Sequence, residues 1–173
     1  MLKKIKTRLC NQRGFTLIEL TLVVLLLGLL ANLSLPLISG FETDRMNATA
    51  RRLSGTVKYL YNEAIITGRE QRLIFDLSQG TYRTVDIAEN GDLTENTGLG
   101  RLYRLPKMVR FESIYQPRRG EKNAGEVTTA ILSGGWMEET IIHLIDEDER
   151  KLTLRLVPLT GLTEFYDGYR DFR

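Results

Sequence analysis

No charged residue occurs between Leu20 and Phe41 of this 173-residue chain, and the stretch from Leu20 to Ala31 is apolar enough to enter a bilayer. A run of that length matches the roughly 20 residues a helix needs to cross one. Lys3, Lys4, Lys6, Arg8 and Arg13 stand just before it with no acid among them. By the positive-inside rule, residues 1–14 are expected to stay in the cytoplasm and the carboxyl side to cross, so everything beyond about residue 42 reads as extracytoplasmic.

A secretory signal also has a basic start, but its apolar core is usually about 7 to 15 residues and ends at a small-residue cleavage site. Here the run is longer, and Glu19 stands at its head. A carboxylate within a membrane helix costs about 2.5–3.5 kcal/mol at mid-bilayer and less near the interface. Its placement therefore asks either for interfacial snorkelling or for a partner cation. Net charge is +2, which excludes a polybasic nucleic-acid protein and an acidic disordered tail. Cys10 and His143 are the only residues of their kinds, so no intrachain disulfide can form, and zinc clusters and Cys-His dyads are excluded.

The run Arg13-Gly14-Phe15-Thr16-Leu17-Ile18-Glu19-Leu20 resembles the class III signal of type IV pilins and of the pseudopilins of type II secretion. The resemblance implies that a prepilin peptidase cuts between Gly14 and Phe15, removes the leader with Cys10, and methylates the new amino group of Phe15. It also implies that Glu19 pairs with the terminal amine of a neighbouring subunit. The physics is compatible, because an ammonium inside an apolar filament core needs an anion to offset its desolvation. Pro36 falls where the family often interrupts its helix, and proline removes a backbone donor and loosens a helix.

After Ser39 and Gly40, Met46, Ala50, Leu53, Val57, Leu60 and Ala64 recur every three or four residues, the stripe of an amphipathic helix. Arg45, Asn47, Arg51, Arg52, Lys58 and Glu63 occupy its other faces, and Gly68 is a natural stop. From there the period becomes two. Leu73, Phe75 and Leu77 alternate with Arg72 and Asp76, and Ser78-Gln79-Gly80 turns the chain toward 82–87, as in a hairpin. Further strands are expected over 102–105, 109–114, 127–132, 140–145, 151–157 and 163–166, with loops over 88–100 and 116–125. The expected fold class is α+β: a long amino-terminal transmembrane and amphipathic helix followed by a mainly antiparallel sheet head, pilin-like. Its expected parts are a removed leader (1–14), a transmembrane or filament-core helix (15–41), an amphipathic helix packed on the head (42–68) and a periplasmic head (69–173).

The head is similar, more loosely, to the H-type minor pseudopilins: in the run from Leu53 through Phe75 and Asp76, and in the closing segments from Leu152 to Gly161 and from Phe165 to Gly168. This implies a single-pass inner-membrane protein that passes into a short pseudopilus filament and supports export of folded proteins across the outer membrane. The implied partners are other major and minor pseudopilins, the prepilin peptidase, the inner-membrane assembly platform and the lipid bilayer. No cofactor is expected. A minor type IV pilin acting in pilus assembly or DNA uptake is the alternative.

Four features of the head invite a functional reading. Asp146 to Glu149 could offer oxygen ligands to a hard cation, but lacks ligand spacing and reads first as a hairpin turn. The stretch holding Arg101, Arg104, Arg118, Arg119 and Lys122, with Tyr103 and Tyr115 among its residues, could contact DNA or a partner; a solvated strand face is the competing reading. His143 sits among apolar strand residues, and Trp136, after Ser133-Gly134-Gly135, reads as a core aromatic or a contact anchor. No nucleophile with a base, and no metal cluster, can be assembled, so catalytic and metal sites are expected to be absent.

Overall fold

The computed structural model describes residues 16–88, 91–95 and 101–172, without the side chains of 31–44 and 95. The chain divides into two compact units, Met1–Gly40 and Phe41–Arg173. A single helix, α1 (Leu17–Thr67), begins in the first and ends in the second.

In the first unit, Thr16 starts the helix. Its side-chain oxygen and its carbonyl both accept the backbone N–H of Glu19, at 3.4 and 3.0 Å, satisfying a donor that a helix end would otherwise leave open. The leucines that follow face outward: Leu17 is 82 % exposed and Leu25 69 %.

Among the described residues, no helix is long and apolar enough to cross a membrane. This corrects two expectations: that the fold includes a transmembrane helix, and that the chain is a single-pass inner-membrane protein.

In the second unit, all six residues of the expected stripe are buried, Met46 at 5 % exposure and the other five at 1 % or less. Each of the larger fully buried side chains, Leu53, Val57 and Leu60, is worth about 1.5–3 kcal/mol. Gly68 ends α1 with φ +69°, a left-handed conformation that glycine adopts without strain.

Two antiparallel sheets follow. The first runs β3 (Leu93–Glu95), β2 (Thr81–Ile87), β1 (Gln71–Asp76), β7 (Glu126–Leu132), β8 (Trp136–Met137), with β4 (Tyr103–Arg104) also paired to β2. The second runs β11 (Leu162–Asp167), β10 (Lys151–Val157), β9 (Thr140–Asp146), β5 (Val109–Gln116), β6 (Gly120–Lys122). One core joins the helix stripe to both: Leu73, Phe75 and Ile131 from the first sheet, and Phe111, Leu144 and Leu154 from the second, belong to the same cluster. Phe75 meets Phe111 edge-on across it, with ring centroids 5.7 Å apart.

The expected strands recur within a residue or two. The loops expected over 88–100 and 116–125 contain short strands instead, because β3 pairs with β2 and β6 folds back on β5. β8, which extends the first sheet beyond β7, was also not anticipated.

Candidate assembly surfaces

The residues singled out from the sequence lie at separate places. Gly14 and Phe15 fall outside the described residues. Glu19 is exposed in the first turn of α1, where a carboxylate interacts favourably with the amino-terminal end of the helix dipole. Together with Thr16 three residues earlier it has the spacing of a capping box, a local role that the sequence reading missed although the Thr-x-x-Glu signal was present. Pro36 lies inside α1, where the backbone ladder loses one donor.

The basic candidates divide between the sheets. Arg101 precedes β4 and Arg104 is on it, beside β2, whereas Arg118 and Arg119 form the β5–β6 turn and Lys122 ends β6. Arg119 is engaged, its Nε 3.7 Å from Glu138 and its Nη1 donating to the Thr128 carbonyl at 3.3 Å. Tyr103, the aromatic nearest to Arg101 and Arg104 in sequence, has the Arg52 guanidinium 4.3 Å above its ring and Tyr82 at 5.1 Å.

The acidic run forms the β9–β10 turn. Asp146 is buried and its oxygens are occupied: Oδ1 accepts the N–H groups of Asp148 and Arg150, and Oδ2 accepts Arg150 Nε at 2.9 Å. Those bonds hold the turn, and Glu147, Asp148 and Glu149 point to solvent. Among the described residues, no group of three or more His, Cys, Asp or Glu side chains could hold a metal ion.

His143 is buried on β9, stacked under Tyr169 with ring centroids 4.0 Å apart. Thr153 donates its one hydroxyl hydrogen to the Gly168 carbonyl at 2.7 Å, so the 3.1 Å contact between His143 Nδ1 and Thr153 is donated by the imidazole. Burial pushes the His143 pKa below the usual 6.5, against the opposing pull of Glu121, Glu112 and Asp171. The imidazole thus fastens the carboxy-terminal segment to the second sheet.

Trp136 is half-buried at the edge of the first sheet and lines a depression of about 230 Å³ with Pro117, Arg118, Glu138, Glu139 and Pro158. Glu139 is held there by Arg155, whose own pKa is raised chiefly by that bond.

Sequence reasoning missed Tyr61. On α1, its hydroxyl lies 2.8 Å from the Gly135 carbonyl and 2.7 Å from that of Leu159, so its hydrogen is shared between the turn before β8 and the turn after β10. Gly161 lies against the ring: a Cβ there would overlap Tyr61 Cγ. Neither residue carries a local signal, because the contact joins positions about a hundred apart. A second tie across the sheets is polar, with Thr129 of β7 2.8 Å from Thr140 of β9, and Gln116 of β5 donating to Thr140 and to the Thr128 carbonyl.

Residues 9–31 match the family described as the prokaryotic N-terminal methylation motif. The match spans Gly14, Phe15 and Glu19 but is a small part of the chain. No curated protein matches. Among solved structures, the chain is similar to the minor pseudopilin EpsH of the Vibrio cholerae type 2 secretion system. In one structure of EpsH the identity is 12 %, the TM-score 0.57, and coverage 71 % of this chain and 97 % of that one. In a second, a crystal structure, the TM-score is 0.59 at 12 % identity, over 74 % of this chain and 97 % of that one. It is also similar to Escherichia coli GspH, at 13 % identity and TM-score 0.56, over 75 % of this chain and 92 % of that one. At these identities the likeness establishes a shared fold.

Proposed function

We propose that this chain is a minor pseudopilin: a structural subunit of a type II secretion pseudopilus that works by assembly with other subunits and catalyses nothing itself. One conjunction carries the reading: a methylation motif over 9–31 on the same chain as a head whose fold is that of EpsH and GspH. Either feature alone is weaker, since the motif is short and an antiparallel head recurs in many proteins.

Prepilin peptidase cleaves between Gly14 and Phe15 and methylates Phe15, and the new ammonium is neutralised by Glu19 of a neighbouring copy or pseudopilin. The outward leucines of the first unit then bury against other subunits, guided by the assembly platform. In this scheme Glu19 pairs with a neighbour while keeping the capping-box spacing to Thr16 of its own helix. The two separate experimentally: Glu19→Gln keeps a side chain that can cap but removes the charge.

Gene deletion tests the reading. Loss of a defined set of secreted proteins with surface pili intact is the expected result. Normal secretion with lost piliation or lost DNA uptake would overturn it in favour of a minor type IV pilin.

A further inference from the structure

A depression of about 390 Å³ opens where the β1–β2 turn meets the segment joining β4 to β5, and its rim carries Arg104, Lys107 and Arg110. All three are exposed, and none has an ion-pair partner among the described residues. Several other cations of the head are matched: Arg83 with Glu126, Arg150 with Asp146, Lys151 with Glu112 and Arg155 with Glu139. The acid that β-sheet register places opposite Val109 is Asp146, and Arg150 already holds it. No Asp or Glu lines the groove, whose floor is formed by the apolar edge of the core at Leu105, Val109 and Phe111.

Three like charges left together cost self-repulsion and raise the local potential for an anion. We propose that this groove binds an acidic peptide segment of a partner protein, its carboxylates on the three cations and an apolar side chain toward the floor. The proposal goes beyond the pseudopilin reading and does not depend on it. Protein is favoured over nucleic acid because the one aromatic lining the groove, Phe111, is buried at 4 % exposure against Phe75 and offers no open face on which a base could stack. Of the basic stretch between 101 and 122, the fold keeps Arg104, Lys107 and Arg110 together at this groove and places Arg118, Arg119 and Lys122 elsewhere.

The test is fluorescence anisotropy with the full chain and three labelled probes: a peptide alternating aspartate with leucine and phenylalanine, its asparagine counterpart, and an oligothymidylate. The acidic peptide should bind, weaken steeply with salt, and lose about tenfold or more in the triple variant Arg104→Gln, Lys107→Gln, Arg110→Gln. Thermal melting checks that the variant is folded, and the single variant Lys107→Gln gives a second, smaller step should the triple one unfold. Equal binding of the asparagine peptide, unchanged binding by the folded variants, or no binding at millimolar peptide would each overturn the proposal. Tighter binding of the oligothymidylate would overturn it in favour of nucleic acid.

Discussion

Within α1 the same residue type meets two fates. Leu25 and Leu27 are 69 % and 59 % exposed, whereas Leu53 and Leu60 are 1 % and 0 %. Burial of the second pair stabilises the head from within one chain, at about 1.5–3 kcal/mol each. The first pair gains nothing of the kind from this chain's fold, and a contiguous apolar surface of that sort marks an interaction site. The contrast separates residues that make the subunit fold from residues that, on the pseudopilin reading, make subunits join.

Substitutions along the helix should break that comparison if it is wrong. Leu60→Ala should destabilise the head by about 2–5 kcal/mol through the cavity it leaves, read by denaturant unfolding. Leu25→Ala should leave the same unfolding curve within about 0.5 kcal/mol and reduce incorporation into filaments. Equal effects of both on unfolding would dissolve the distinction.

Gly161→Ala sharpens it on the head side. The added methyl would meet the Tyr61 ring at a backbone φ of +62°, so both a clash and left-handed strain oppose it, and a loss of about 2–3 kcal/mol is expected in thermal melts. Tyr61→Phe keeps the ring and removes only the shared hydroxyl hydrogen, for an expected loss of about 1 kcal/mol. A melt unchanged by Gly161→Ala would mean that the turn after β10 does not rest on α1.

The smallest effect concerns pH. Because the His143 pKa is lowered by burial, the unfolded chain takes up the proton first as pH falls below about 6.5. Stability should therefore decline from that point down toward the folded pKa and be unaffected by His143 above it. His143→Gln should flatten that slope in melts taken across the acid range; an unchanged slope would assign it to carboxylates instead.

What could be read from the sequence follows the range of the interactions. The stripe from Met46 to Ala64 and the alternation around Phe75 are local periodicities, and both were legible. β3, β6 and β8 have three, three and two residues, too few for alternation to register, so they existed only as partners of β2, β5 and β7. The Tyr61 latch, the Thr129–Thr140 tie and the separation of Arg104, Lys107 and Arg110 from Arg118, Arg119 and Lys122 depend on the fold and not on local pattern. Glu19 is the instructive intermediate. Its capping spacing was visible, yet the likeness to a filament subunit drew attention to the distant partner and away from Thr16.

The most direct measurement is photo-cross-linking in cells from a benzophenone side chain at position 25, with and without the remaining secretion genes. Adducts with other pseudopilins should form only when those genes are present and should fall sharply with Glu19→Ala. Adducts undiminished by Glu19→Ala, or none at all with secretion intact, would contradict the assignment of this face of α1 to subunit assembly.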